Sequence, residues 1–126
     1  MNWKLELVPV PVSDVDAAKV FYMERVGFNL DHDHSPNENV RMVQMTPPGS
    51  ACSIVIGTGF IRTPPGSVQG LHLVVEDIKK ACAELRERGV PVGEPRDLGR
   101  GIRMTSFADP DGNSWILQQI GPAPGE

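Results

Sequence analysis

The sequence predicts an α+β fold made of two copies of a βαβββ module. In each half of the 126-residue chain, an apolar, β-branched segment runs into an aspartate and then into an amphipathic helical pattern. The two aspartates, Asp14 and Asp77, lie half a chain length apart, so the pattern occurs twice. Both helical patterns end at a glycine. These observations predict one domain of two modules, at about residues 1–60 and 67–121, joined by a linker at about 58–69.

The helices are predicted from the spacing of apolar residues and from the residues that cap them. The carboxylates of Asp14 and Asp77 can accept hydrogen bonds from the free N–H groups of the first helical turn. Gly27 and Gly89 can adopt the left-handed conformation that ends a helix at little cost. The apolar positions with helical spacing are Val15, Ala18, Tyr22 and Val26 in the first helix, and Ile78, Ala81, Cys82 and Leu85 in the second.

Strands are predicted where apolar and β-branched residues are bounded by turn-forming residues. Each module opens with a strand, within residues 5–12 in the first and 71–75 in the second. The segment from Asp109 to Asn113, Asp-Pro-Asp-Gly-Asn, has the composition of a tight turn, because proline fixes φ and glycine accepts a positive φ. The other strands are predicted at 28–32, 40–46 and 53–57 in the first module, and at 90–93, 102–108 and 114–120 in the second.

Composition and charge disfavour several classes of function. The chain has 12 basic and 16 acidic residues, a net charge of −4 and no basic stripe, which argues against nucleic acid as a partner. The apolar runs are strand-sized, far below the roughly 20 residues of a membrane span, and the N-terminus lacks the apolar centre of a signal peptide. We therefore expect a cytoplasmic protein without membrane contact. Cys52 and Cys82 lie in apolar contexts typical of buried thiols.

Three motifs carry a family resemblance. They are Val-Ser-Asp-Val-Asp-Ala-Ala-Lys-Val-Phe-Tyr at 12–22, Val-Gly-Phe at 26–28 and Phe-Ala-Asp-Pro-Asp-Gly-Asn-Ser-Trp at 107–115. Together with the two modules, they resemble the vicinal oxygen chelate superfamily, which contains glyoxalases, bleomycin resistance proteins and extradiol dioxygenases. The resemblance covers nearly the whole chain and implies paired, curved mixed sheets around a cleft. It also implies a homodimer, because the binding proteins of this family are typically dimers with clefts built from both chains.

The metal enzymes of this superfamily place one ligand on each of four strands. At the positions of the two histidines this chain has Leu7 and Gly70, and at the second-module carboxylate it has Ile116. The fourth position lies within 53–55, where no acidic residue occurs. A divalent metal needs three or four converging N, O or S donors. We therefore expect no metal and no other cofactor.

The resemblance still implies the cleft, and it suggests which residues line it. A small organic molecule, bound and sequestered there without a metal, is the predicted ligand. Alternation along the last strand places Gln118 on the same face as Ile116, with Trp115 and Leu117 on the other. The predicted apolar lining is Leu7, Pro9, Ile54, Gly70, Val74 and Ile116, and the predicted polar groups around a ligand are Gln44, His72, Arg103 and Gln118.

Two alternative interpretations remain open from the sequence. An enzyme of the lyase, isomerase or dioxygenase kind could work without metal and use His72 as a general base. It could instead hold a metal on relocated ligands, since alternation predicts His32 and His34 on one strand face, with Asp31 and Asp33 on the other. The second alternative is an accessory domain without a ligand of its own. Bound metal would favour the enzyme, and a planar ligand retained without metal would favour the binding protein.

Overall fold

The computed structural model describes residues 1–125 and contains the helices and strands in the predicted order. In the first module they are β1 (Leu7–Pro9), α1 (Val15–Val20, continued by a π-helical segment over Phe21–Val26), β2 (Asn29–Asn37), β3 (Val40–Thr46) and β4 (Ser53–Thr58). In the second module they are β5 (Leu71–Val74), α2 (Ile78–Glu87), β6 (Arg96–Asp97), β7 (Ile102–Ala108) and β8 (Ser114–Ile120).

Each module forms its own four-stranded mixed sheet. The strand order is β1-β4-β3-β2 in the first sheet and β5-β8-β7-β6 in the second. In both, the first strand of the module pairs in parallel with its last strand, and the other pairs are antiparallel. Two sheets of the same topology confirm the prediction of an α+β fold with two βαβββ modules.

The predicted helix caps are confirmed. Asp14 and Asp77 each accept a hydrogen bond from the backbone N–H three residues later, at 3.0 and 3.1 Å. Gly27 and Gly89 have φ angles of 97° and 83°, in the left-handed region that glycine tolerates. The π-helical segment ends with the N–H of Gly27 bonded to the carbonyl oxygen of Tyr22, at 3.0 Å. Neither helix within residues 1–125 has the length and apolarity needed to cross a membrane.

Two predicted strands differ from the structure. β2 continues to Asn37, well beyond its predicted end, and two register shifts interrupt its pairing with β3. Residues 90–93 form no strand, and the short β6 pairs with β7 instead. Pro91 has no N–H to donate to a neighbouring strand. Val90 is buried in the core, and its N–H is bonded to the carbonyl oxygen of Leu85 at 2.8 Å, so the start of this segment packs against the C-terminal end of α2.

One hydrophobic core joins the two modules. The ring of Phe21 lies 6.4 Å from that of Phe107, and the ring of Tyr22 lies 5.8 Å from that of Trp115, so aromatic side chains after α1 contact the second sheet directly. Each sheet contributes one face to this core. We call the opposite side of each sheet its open face. The strand residues within the core are Val43, Met45, Ile54, Ile56, Phe107, Trp115 and Leu117.

A buried cluster of hydrogen-bonded side chains, formed by Tyr22, Asp109, Asn113 and Trp115, connects the two modules. Tyr22 donates to Asp109 at 2.8 Å and accepts from the indole N–H of Trp115 at 3.0 Å. Asn113 is fully buried and donates to Asp109 at 2.8 Å and to the carbonyl oxygen of Pro11 at 2.7 Å. Burial and the nearby charge of Asp109 raise the pKa of Tyr22 far above its ordinary value, so the phenol remains a donor. The predicted turn at 109–113 therefore also binds the second module to the first.

A charged cluster links α1 to β2 and β3 on the helix side of the first sheet. Asp33 accepts hydrogen bonds from Arg41, at 2.9 and 3.1 Å, and from Lys19 at 2.8 Å. Arg41 also pairs with Asp16 at 2.7 Å. The hydrogen bonds from Arg41, and then those from Lys19, hold the pKa of Asp33 well below its ordinary value of 3.8.

Acid is expected to weaken the fold through Asp33. Because its pKa is lower in the folded than in the unfolded chain, its ion pairs stabilise the protein above about pH 4, and this contribution is lost as the pH falls below that value. Asp33→Asn should lower the free energy of unfolding by about 1–2 kcal/mol at neutral pH and flatten the acid dependence. Urea unfolding from neutral to strongly acidic pH measures both effects. Glu38→Gln, in the exposed β2–β3 turn, is the control, and equal losses in the two variants would contradict the prediction.

Candidate functional site

The two open faces form the candidate binding surface. Along β8, Trp115 and Leu117 are buried in the core, whereas Ile116 and Gln118 point to the open side, as alternation predicted. Strand register extends this assignment to the neighbouring strands. The first open face has Leu7, Pro9, Gln44 and Thr46, together with Ser53 and Val55, which are buried in the single chain; the second has His72, Val74, Met104, Ser106, Ile116 and Gln118. Gly70 precedes β5 and bonds to Ser114.

The second open face carries one hydrogen-bonded polar pair, beside Ser106 and three apolar side chains. His72 Nδ1 lies 2.9 Å from the amide oxygen of Gln118. Because that oxygen can only accept, Nδ1 is the donor in this contact, and Nε2 takes no part in it. Val74, on the same face, is 66% exposed. This face therefore offers one oriented imidazole beside an apolar surface that the single chain leaves uncovered.

Two depressions flank the second open face. One, of about 380 Å³, lies between the segment 93–98 and the side chains of Met104, Ser106 and Ile116. The other, of about 350 Å³, lies between the loop 47–50 and the segment from His72 to Val74. Both volumes fall in the lower part of the range of roughly 300–1,000 Å³ that small-molecule pockets occupy.

The first open face carries a connected polar network. The hydroxyl of Thr46 donates to Asp31 at 2.5 Å and lies 2.6 Å from the hydroxyl of Ser53. The amide nitrogen of Gln44 donates to Asp31 at 3.3 Å and to Ser53 at 3.4 Å. The imidazole Nε2 of His32 lies 3.2 Å from the amide oxygen of Gln44. Of these residues, only Gln44 was predicted as a ligand contact.

Asp31 reaches this face because of a register shift in β2. The pairing of β2 with β3 shifts between Leu30 and His32, so strict alternation is lost there. The prediction that Asp31 and Asp33 lie together on the face opposite His32 is wrong for Asp31. Asp33 does lie on the helix side, with Arg41.

The predicted cleft position of Ile54 also needs correction. Ile54 is 4% exposed and belongs to the core, on the helix side of β4. Its neighbours Ser53 and Val55 occupy the open side, opposite Leu7 and Pro9 of β1. Ile54 therefore packs under the candidate surface and does not line it.

Arg103 lies on the helix side of the second sheet, so its predicted role as a polar ligand contact also needs correction. It is part of β7 and pairs with the buried Gln119 of β8, whereas its neighbour Met104 pairs with Gln118 of the open face. Arg103 instead borders a depression beside α2, with Cys82 among its lining residues. The ligand contacts predicted for the other residues remain predictions, and all of these residues except Gly70 lie on the open faces.

The family's metal positions do not fit a divalent ion in this chain. Leu7 and Gly70 offer no donor side chain, Ile116 is apolar, and the first-module carboxylate position on β4 offers only Ser53 or Val55 on the open side. Within residues 1–125, no three or more His, Cys, Asp and Glu side chains converge as a metal group requires.

The cysteines do not supply a nucleophile to this surface. Both are free thiols; Cys82 is buried on the core side of α2, whereas Cys52 is only partly buried. Burial raises the pKa of the Cys82 thiol, which disfavours the reactive thiolate. The prediction of a buried thiol is thus confirmed for Cys82 and is wrong for Cys52.

Solved structures of similar proteins share this fold over nearly their whole length. TnmS3, an antibiotic binding protein from Streptomyces sp. CB03234, is 42% identical, with a TM-score of 0.85 over 95% of this chain and 98% of its own. A glyoxalase/bleomycin resistance protein from the same Streptomyces strain is 44% identical, with a TM-score of 0.80 over 92% of this chain and 100% of its own. The likeness therefore extends through both modules and both open faces.

Sequence comparison leads to the same family. The protein YetH of Bacillus subtilis strain 168 is 31% identical over 116 residues, which are 89% of this chain and 94% of YetH. The sequence profile of the glyoxalase, bleomycin resistance protein and dioxygenase superfamily matches residues 4–117. With its two βαβββ modules and their sheets of equal topology, the chain belongs to the glyoxalase/bleomycin resistance protein/dioxygenase superfamily.

Proposed function

We propose that this protein binds and sequesters a small, planar organic molecule, of the antibiotic class, against its open faces. The observation that carries the proposal is the 42% identity to TnmS3, an antibiotic binding protein, over 95% of the chain. The absence of donor side chains at the family's metal positions in residues 1–125 favours binding over the metal-dependent chemistry of the family's enzymes. The depressions on the second open face have suitable volumes for such a ligand.

In this proposal the complete cleft is formed by a homodimer. The first open face of one chain covers the second open face of its partner, with the ligand between them. Val74 and Ile120 are 66% and 62% exposed in the single chain, which favours a surface that another chain covers.

Ligand binding is expected to raise the melting temperature of the purified protein. Nile red serves as a neutral, planar probe, and a panel of aromatic antibiotics supplies the candidate ligands. A ligand at one hundred times its Kd should stabilise the folded state by about 2.7 kcal/mol, because it binds the folded chain alone. Mass spectrometry of the released antibiotic should show it unchanged. If neither Nile red fluorescence nor the melting temperature responds to any compound, the proposal fails.

The orientation of His72 supports a second candidate function, metal-free catalysis. Its Nε2 is free to accept a proton while Nδ1 is held by Gln118. Conversion of a bound compound by the wild-type protein, lost in His72→Gln, would support an enzyme of the lyase or isomerase kind. One divalent metal per chain after purification would instead point to His32 and His34, whose rings lie 5.3 Å apart.

A further inference from the structure

The polar network on the first open face ends at a carboxylate with an uncommitted oxygen. Thr46 and Gln44 both donate to the Oδ2 atom of Asp31. Among the hydrogen bonds of residues 1–125, none reaches its Oδ1 atom. Asp31 is exposed, and its bonds to Thr46 and Gln44 hold the carboxylate on the first open face.

The donors around Asp31 are already used within the network. Since Thr46 donates to Asp31, the 2.6 Å contact between Thr46 and Ser53 requires the Ser53 hydroxyl to donate to Thr46. Gln44 donates to both Ser53 and Asp31, and His32 donates to the amide oxygen of Gln44. The Gln44 amide and the Thr46 hydroxyl both donate to Asp31. The carboxylate of Asp31 is therefore the group of this network that can accept a hydrogen bond from a ligand.

No basic side chain neutralises this acceptor within the described chain. The ion pairs of residues 1–125 use Asp33, Asp16 and Glu94, and the Lys19 and Arg41 cations are held on the helix side of the sheet. The whole chain carries a net charge of −4, which favours a cationic over an anionic ligand. A carboxylate with a free oxygen and no cationic partner favours a cationic donor over a neutral one.

We propose that Asp31 forms an amine-binding subsite of the cleft, which selects planar ligands that carry a protonated amino group. The inference rests on the proposed ligand-binding function and gives that function a ligand class and a specificity-determining residue. The ring system lies against the apolar second open face, and the ammonium group reaches Oδ1 of Asp31. Thr46 and Gln44 hold the carboxylate in place and leave that oxygen free.

Three naphthalene compounds with different head groups test the subsite. 2-Naphthylmethylamine, 2-naphthalenemethanol and 2-naphthoate share the ring and differ in presenting a cation, a neutral donor or an anion. Their dissociation constants are measured by displacement of Nile red near neutral pH. The amine should bind roughly fivefold to tenfold more tightly than the alcohol, since one charge-assisted hydrogen bond separates them. The naphthoate should bind most weakly.

Asp31→Asn provides the decisive variant. It should weaken binding of the amine until its affinity equals that of the alcohol. It should strengthen binding of the naphthoate and change the affinity for the alcohol little. Glu38→Gln removes the same charge from the exposed turn at the far end of β2 and should leave all three affinities unchanged. Unchanged melting temperatures show that both variants are folded.

The outcomes separate this inference from the function on which it rests. Equal affinities for the three compounds, or no effect of Asp31→Asn on the amine, would overturn the subsite while the binding function stands. Failure of all three to displace bound Nile red would also overturn it, because the amine would then have no site on this face. If Nile red itself does not bind, the proposed function falls and the subsite falls with it.

Discussion

Asn113→Ala is expected to lower the free energy of unfolding by about 3 kcal/mol. The side chain is fully buried and makes three bonds that alanine cannot make. Its amide nitrogen donates to Asp109 and to the Pro11 carbonyl, and its amide oxygen accepts from the Val68 N–H at 3.1 Å. The variant leaves the Val68 N–H without its acceptor, and it removes one donor from Asp109 and one from the Pro11 carbonyl, which keep their bonds from Tyr22 and from the Gly66 N–H. An unsatisfied buried group costs about 1–3 kcal/mol, and each lost hydrogen bond about 1 kcal/mol. Such a loss is a large fraction of the stability of a single domain.

Urea denaturation, followed by the fluorescence of the buried Trp115, measures this loss. Asn37→Ala is the matched control, because Asn37 also accepts a hydrogen bond from a backbone N–H, at 2.8 Å, but lies exposed at the end of β2. We expect the control to cost less than about 1 kcal/mol. Equal losses in the two variants would show that the buried cluster does not fasten the modules.

The second large effect concerns binding in a mixed dimer. Leu7→Arg places a cation on the first open face, and Ile116→Arg places one on the second. Arginine blocks the cleft without adding a metal ligand. Each variant alone should bind Nile red about thirtyfold more weakly, which corresponds to roughly 2 kcal/mol for crowding and desolvation of the charge. Ala83→Arg, on the exposed side of α2, is the control and should bind normally.

A dimer of one Leu7→Arg chain and one Ile116→Arg chain should recover binding. If each cleft combines the first open face of one chain with the second of its partner, one cleft carries both arginines and the other carries neither. The two chains are co-expressed with different tags and isolated as the mixed dimer. One ligand per mixed dimer is the expected stoichiometry. A mixed dimer that binds as weakly as its parents would place the whole cleft within one chain.

Local rules predict much of this fold. Asp14 and Asp77 cap the helices because a short acidic side chain next to free N–H groups is effective in any context. The orientation of Trp115 and Ile116 follows from alternation, since β8 is regular along its length. Neither prediction depends on distant parts of the chain.

The site is harder to predict because it depends on strand register. β4 is buried from Ser53 to Gly57, so its sequence has no polar side that would show where Ile54 points. Asp31 changes face at a register shift that no residue pattern marks. Arg103 follows a glycine-rich segment that favours a loop, but pairing with β8 makes it part of a strand. In each case, the sheet face on which the side chain lies depends on pairing with another strand, which the local sequence does not show.

The bonds of the buried cluster also determine when the protein can fold during its synthesis. The bond from Asn113 to Pro11 spans 102 residues, and that from Tyr22 to Asp109 spans 87. The ribosome therefore finishes the first module well before the partners of Pro11 and Tyr22 leave the exit tunnel. Contacts of such sequence separation slow folding, because a long chain must close before they form. We expect the nascent first module to remain unfinished, with its aromatic residues open to chaperones, until the last two strands emerge.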